Sequence, residues 1–134
     1  MFKLIKILNS GRNVPEPEKL NKFSNISVKA GEALILDDGE VAPCPSSVTP
    51  SYIAFADADE SAETVVCYPV SKDMIFETTV NANPSALLVG YKVTIGQDDD
   101  GCSVCVTSTT TSGVATIVSL DGATQAGDKV TVKF

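Results

Sequence analysis

Short runs in which apolar and polar residues alternate, each ended by a turn signal, fill this sequence from Phe23 onward. Ile26 and Val28 alternate with polar neighbours, and the same two-residue period recurs in residues 64–70 and 74–78. The turn signals are Asp38-Gly39, Asp100-Gly101, Ser112-Gly113 and Asp121-Gly122. A period of two is that of a strand with one buried face, and Asp-Gly pairs favour tight turns. The sequence therefore predicts an all-β domain, either a small β-barrel or a β-sandwich.

One short segment departs from this pattern and predicts a helix. Asn83 suits the N-cap, Pro84 suits the first helical position, and Gly90 suits the left-handed residue that ends a helix. The residues between them allow about one and a half turns at 3.6 residues per turn. We therefore predict a single short helix in this segment.

Charge divides the chain into two parts. Residues 1–24 hold five basic and two acidic residues, a net charge of +3, which leaves −10 for residues 25–134 out of a total of −7. Pro15 and Pro17 fix φ and lack an amide donor, so the segment around them favours an extended path. The sequence predicts a basic, proline-containing N-terminal arm at 1–24 and an acidic β domain at 25–134.

This arm is the candidate binding site. Basic and apolar side chains are spaced along it on an extended backbone, and the charge favours docking on an acidic surface, such as the body of a neighbouring copy. The candidate partner-binding residues are Lys3, Lys6, Arg12, Val14, Pro15, Pro17 and Leu20. Two alternatives remain open: a solvated tail, or a strand built from Phe2, Leu4 and Ile7 that is an integral part of the β domain.

The sequence carries no recognisable catalytic pattern. It has no His, which removes the usual general base and the partner of a Ser or Cys nucleophile, and it has no glycine-rich phosphate motif. The carboxylates of 57–60 and 98–100 each resemble half of a calcium loop but lack its closing Glu, so we interpret them as solvated turn residues. We expect a protein that is not an enzyme and that needs no cofactor.

The four cysteines are expected to be free thiols. Cys102 and Cys105 have the spacing of a metal or redox pair, but there is no second such pair. In a strand, residues three apart point to opposite faces, so the two thiols would not readily share one ion. We therefore expect no bound metal.

Charge and hydropathy also restrict the partners. A net charge of −7 with a pI near 4.4 repels phosphate backbones, so we expect no nucleic-acid partner. No run reaches the roughly 18 apolar residues of a membrane span, and residues 1–8 lack the pattern of a signal peptide. We expect no membrane partner and folding in a cytoplasm.

The order of the motifs resembles that of the small capsid decoration (cement) proteins of tailed bacteriophages. The segments that carry this resemblance are 28–41, 49–53, 68–77, 88–95 and 126–134. It implies a structural virion protein, made in the host cytoplasm, that binds the major capsid protein lattice on the outer surface of the phage head and stabilises it. It further implies a homo-oligomer, a trimer, on the capsid. The alternative is a tail, fibre or host-surface carbohydrate-binding β module, against which the lack of Trp counts.

Overall fold

The computed structural model describes residues 1–8 and 15–134, and within these residues it contains strands, turns and no helix. The prediction of an all-β protein is confirmed. No described segment forms a helix that could cross a membrane. The strands are β1 (Lys3–Ile7), β2 (Glu18–Asn21), β3 (Ala33–Asp37), β4 (Glu40–Pro43), β5 (Tyr52–Ala54), β6 (Thr64–Pro69), β7 (Met74–Thr79), β8 (Lys92–Val93), β9 (Ile95–Gly96), β10 (Cys105–Val106), β11 (Ala115–Ser119) and β12 (Lys129–Lys133).

These strands form two five-stranded antiparallel sheets and one small pair. Sheet 1 has the order β1-β7-β12-β11-β8, sheet 2 has the order β2-β6-β5-β3-β4, and β9 pairs with β10. Both large sheets are open, so the barrel alternative is not the one adopted. The edges of sheet 2 approach each other at a parallel bridge between Lys22 and Val41. Pro43 lacks an amide donor and lies on the edge strand β4, where a sheet tolerates proline.

Sheet 1 packs on sheet 2 across the larger of two apolar cores. Phe2 and Phe76 of this core lie with Phe134 in an aromatic cluster, and Ile53 approaches from sheet 2. The smaller core lies on the other face of sheet 2 and includes Leu34, Val41 and Val65, covered by Val28 and Ala58 from the preceding and following loops. Sheet 2 is therefore buried on both faces, whereas sheet 1 has one face turned away from the core.

The short helix predicted from Asn83 to Gly90 is not present. The amide of Leu87 donates to the carbonyl of Pro84 at 2.9 Å, which closes one turn and points Leu87 into the core. Gly90 has the predicted positive φ, at 91°, but its amide donates to Ile117 of β11 at 2.9 Å. So short a segment gains little from helical hydrogen bonds, since nucleation is unfavourable, and its backbone pairs with the sheet instead.

The segment predicted as an arm contributes one edge strand to each large sheet. Lys3–Ile7 pairs with β7, and Glu18–Asn21 pairs with β6. Phe2 is 1% exposed, and its amide donates to the carbonyl of Gly31 at 2.8 Å. Of the alternatives left open by the sequence, the structure shows the integral strand. The outer side of β1 carries the exposed residues Lys3 and Lys6. Their charge makes the strand resemble a solvated segment in the sequence.

Candidate functional site

The described partner-binding candidates are divided between sheet 1, sheet 2 and the segment that precedes β2. Lys3 and Lys6 are exposed on β1, whereas Leu20 is half-buried on β2 against the smaller core. Pro15 is half-buried and Pro17 is exposed in the extended segment before β2. Arg12 and Val14 fall outside the described residues. The described candidates therefore do not form one continuous binding segment, and their role in binding stays a prediction.

An apolar groove of about 260 Å³ runs along the junction of β1 with sheet 2. Pro15 and Tyr68 contribute to its lining, together with Met1 and Phe55, which are 57% and 55% exposed. Although Met1 as a residue is exposed, its α-amino group is partly buried, and this burial lowers the pKa of that group. Lys3 supplies a charged side chain at the groove. Such a lining suits contact with an apolar side chain of a partner.

The carboxylates of 98–100 hold a lysine from the opposite part of the chain. The ammonium nitrogen of Lys29 lies 2.7 Å from Asp98 Oδ2 and 2.6 Å from Asp100 Oδ2. These hydrogen bonds raise the pKa of Lys29, and the bond from Lys29 holds the pKa of Asp98 below its ordinary value. Asp98 Oδ1 also accepts the amides of Asp100 and Cys102. The ammonium of Lys29 contacts both carboxylates, so this cluster ties two loops together.

Glu32 is a buried carboxylate that the sequence pattern did not single out. Its Oε2 accepts the amide of Lys29 at 3.0 Å, and its Oε1 accepts the amide of Ser103 at 3.1 Å. Burial raises the pKa of Glu32 despite these bonds. In the sequence Glu32 is simply a polar residue after Gly31 in a turn, and no local signal distinguishes it. Its role is to fasten this turn to the chain near β10.

The acidic loop before β6 consists of turn residues, as the sequence interpretation expected. Asp57 Oδ1 accepts the amide of Ala30 at 2.7 Å. Asp59 Oδ1 accepts the hydroxyl and amide of Ser61 and the amide of Ala62, and the bond from the Ser61 hydroxyl is the main cause of the lowered pKa of Asp59. Asp59 therefore stabilises its own turn, whereas Asp57 joins this loop to the segment that contains Ala30.

All four cysteines are free and buried. Burial raises the pKa of Cys44 to about 12 and those of Cys67 and Cys102 to about 11. Cys105 lies on β10, whereas Cys102 precedes that strand. The described residues include no group of three or more Cys, Asp or Glu side chains placed to hold a metal ion. A buried thiol with a raised pKa is a poor nucleophile, because the thiolate is the reactive form.

The comparisons with known proteins add information about the fold. No family model and no curated protein sequence matches the chain. Among solved structures, it is similar to the crystal structure of the head fiber gp8.5 N base in bacteriophage phi29, with a TM-score of 0.54 and 18% identity. The two chains share a fold. The similarity covers 89% of this chain and 94% of the other, so it concerns nearly the whole of both.

Proposed function

We propose that this protein is a structural component of a bacteriophage head, bound to the outer surface of the shell as a decoration protein. The observation that carries the proposal is the fold shared with the phi29 head fiber base over 89% of the chain. In this proposal the partner is the lattice of the major capsid protein, the bound form is a homo-oligomer, and the protein has no enzymatic role.

The polar clusters of the molecule support a structural role. Lys29 is held by Asp98 and Asp100, Glu32 fastens one turn, and Asp59 caps another. Each of these charged groups forms hydrogen bonds within the fold. The buried free thiols also fit a protein that folds in a reducing cytoplasm before it joins a virion.

A fibre-related role is the second candidate, because the similar structure is the base of a head fiber. A base of this kind would also bind the shell from outside, but it would carry a further appendage rather than reinforce the lattice. The two functions differ in what happens to the shell when the protein is missing.

Virions from the source of the gene test both functions. Antibodies against the purified protein, used for immunoblotting and immunogold electron microscopy, are expected to label the heads of purified particles. Particles that lack the protein are then heated, and release of their DNA is measured with and without added protein. A decoration protein is expected to raise the temperature of DNA release, and a fibre base to leave it unchanged. Absence of the protein from purified virions would contradict both.

A further inference from the structure

The outward face of sheet 1 carries half of the basic residues of an otherwise acidic chain. Ten residues are Lys or Arg, and the total charge is −7. The five lysines on this face, all exposed, are Lys3, Lys6, Lys92, Lys129 and Lys133. We call this surface the lysine face.

The strand register shows that these lysines share one side of the sheet. Leu4 pairs with Phe76, Phe76 with Val132, and Val132 with Ile117, which forms a row of apolar side chains across four strands. All four belong to or pack on the larger core, so this row marks the inner face. Successive residues of a strand point to opposite faces, so the residues next to this row face outward.

One outward row crosses all five strands of sheet 1. The register of β1 against β7 shifts between Leu4 and Lys6, and this irregularity brings Lys6 opposite Ile75. Lys133 pairs with Thr116, and Thr116 pairs with Lys92. Ile75 and Lys133 are opposite each other because their neighbours Phe76 and Val132 are paired. Lysines thus occur on alternate strands, about 10 Å apart at a strand spacing of about 4.8 Å. A row of this kind presents evenly spaced positive charges over a broad sheet face.

Most of this charge has no partner within the chain. Glu77 pairs with Lys129 at 3.0 Å, and Asp121 accepts the hydroxyl of Thr131 at 2.8 Å. In the part of the chain that the structure describes, the other lysines of the face form no ion pair. A partner at the lysine face therefore meets a positive surface.

An exposed apolar loop borders the lysine face at the β8 edge. Leu88, Val89 and Tyr91 are 58%, 65% and 43% exposed. The amide of Ile117 donates to the carbonyl of Tyr91 at 2.8 Å, which holds this loop against β11. Aromatic residues are enriched in protein interfaces, and polar residues form their rim.

We propose that the lysine face docks on a carboxylate-rich surface of a partner protein. Resting on the function proposed above, this partner surface is the outside of the phage shell. Lysine is a point charge on a flexible stem, which adapts to scattered carboxylates. A broad sheet face with an apolar border matches an extended protein surface better than a nucleic-acid groove. Lys3 and Lys6 of this surface belong to the arm predicted from the sequence, whereas Lys92, Lys129 and Lys133 lie far from residues 1–24 in the sequence.

The test is co-sedimentation of the intact protein with emptied shells of the source phage. Lys133→Glu is compared with Lys19→Glu, which makes the same change of charge at an exposed lysine of sheet 2. We expect Lys133→Glu to weaken binding by about tenfold or more and Lys19→Glu to leave it within about twofold. Adding Lys92→Glu to the first variant is expected to weaken binding further. Binding of the unaltered protein should also weaken as salt rises, since exposed charges are screened.

One further measurement and one further variant keep the proposal testable if Lys133→Glu folds poorly. Thermal melting checks each variant, and Lys133→Gln removes the charge without reversing it. Failure of the unaltered protein to bind shells would overturn the proposed function together with this proposal. Equal binding by the Lys133→Glu and Lys19→Glu variants would overturn the docking surface alone.

The other possible occupants of the face are outcomes of the same experiment. Binding of the unaltered protein to duplex DNA in a mobility-shift assay, lost in Lys133→Glu, would make the partner a nucleic acid and overturn the proposal. A change of oligomeric state in Lys133→Glu, measured by sedimentation velocity on the protein alone, would make the partner a second copy and would also overturn it.

Discussion

Replacing Phe2 with alanine tests whether the first strand is an integral part of the fold. The ring of Phe2 lies 6.4 Å from that of Phe76 and 5.4 Å from that of Phe134, in edge-on arrangements. The side chain is 1% exposed, and the residue precedes a strand that pairs with β7. Removing the ring therefore opens a cavity in the larger core.

The expected loss of stability is large for a domain of this size. Truncation of a buried phenylalanine to alanine costs about 3–5 kcal/mol, whereas whole domains are stable by about 5–15 kcal/mol. For a chain of this length, such a loss lowers the melting temperature by roughly 10–20 °C. Deleting residues 1–8 should be at least as damaging, because sheet 1 then also loses β1 as an edge strand.

Thermal and urea unfolding followed by circular dichroism measure this loss. Ile5→Ala is the matched control, since Ile5 lies on the same strand but is 49% exposed, and we expect its cost to stay within about 1 kcal/mol. A melting temperature for Phe2→Ala that equals that of Ile5→Ala would refute the reasoning. The N-terminal segment would then be an appendage, as the charge pattern of residues 1–24 indicates.

Three further predictions concern buried groups and one close backbone contact. Burial raises the folded-state pKa of Glu32. The stability that this group contributes is therefore fully present below its unfolded-state pKa of about 4.5, and it is lost as the pH rises through the folded-state pKa. Glu32→Gln should remove this part of the pH dependence, measured by urea unfolding at several pH values. Cys44 and Cys102, buried and with raised pKa values, should resist iodoacetamide at mildly alkaline pH until the protein is unfolded; rapid modification of the native protein would contradict their burial. A Cβ at Gly113 would collide with the backbone of Lys92, so Gly113→Ala should cost about 1–3 kcal/mol, and an unchanged melting temperature would show that β8 and β11 are less closely packed.

The strands and tight turns of this protein are local properties, and the sequence predicted most of them. Alternation in 74–78 corresponds to β7, whose buried residues Met74 and Phe76 face the core. Asp38 and Gly39 have φ values of 48° and 83°, which is the left-handed conformation that an Asp-Gly hairpin turn requires. The helix prediction failed although Gly90 has the expected positive φ, because a capping signal also fits successive turns when the segment between its ends is short.

The sequence by itself determined that the chain is all-β and where its turns fall. It did not reveal that β1 completes sheet 1, that Glu32 is buried, or that Lys6, Lys133 and Lys92 lie in one row. These features depend on which strands are neighbours and on their register, and both are set by packing between segments far apart in the chain. Alternation assigns a side chain to one of two faces, but only the assembled sheet shows which other residues share that face.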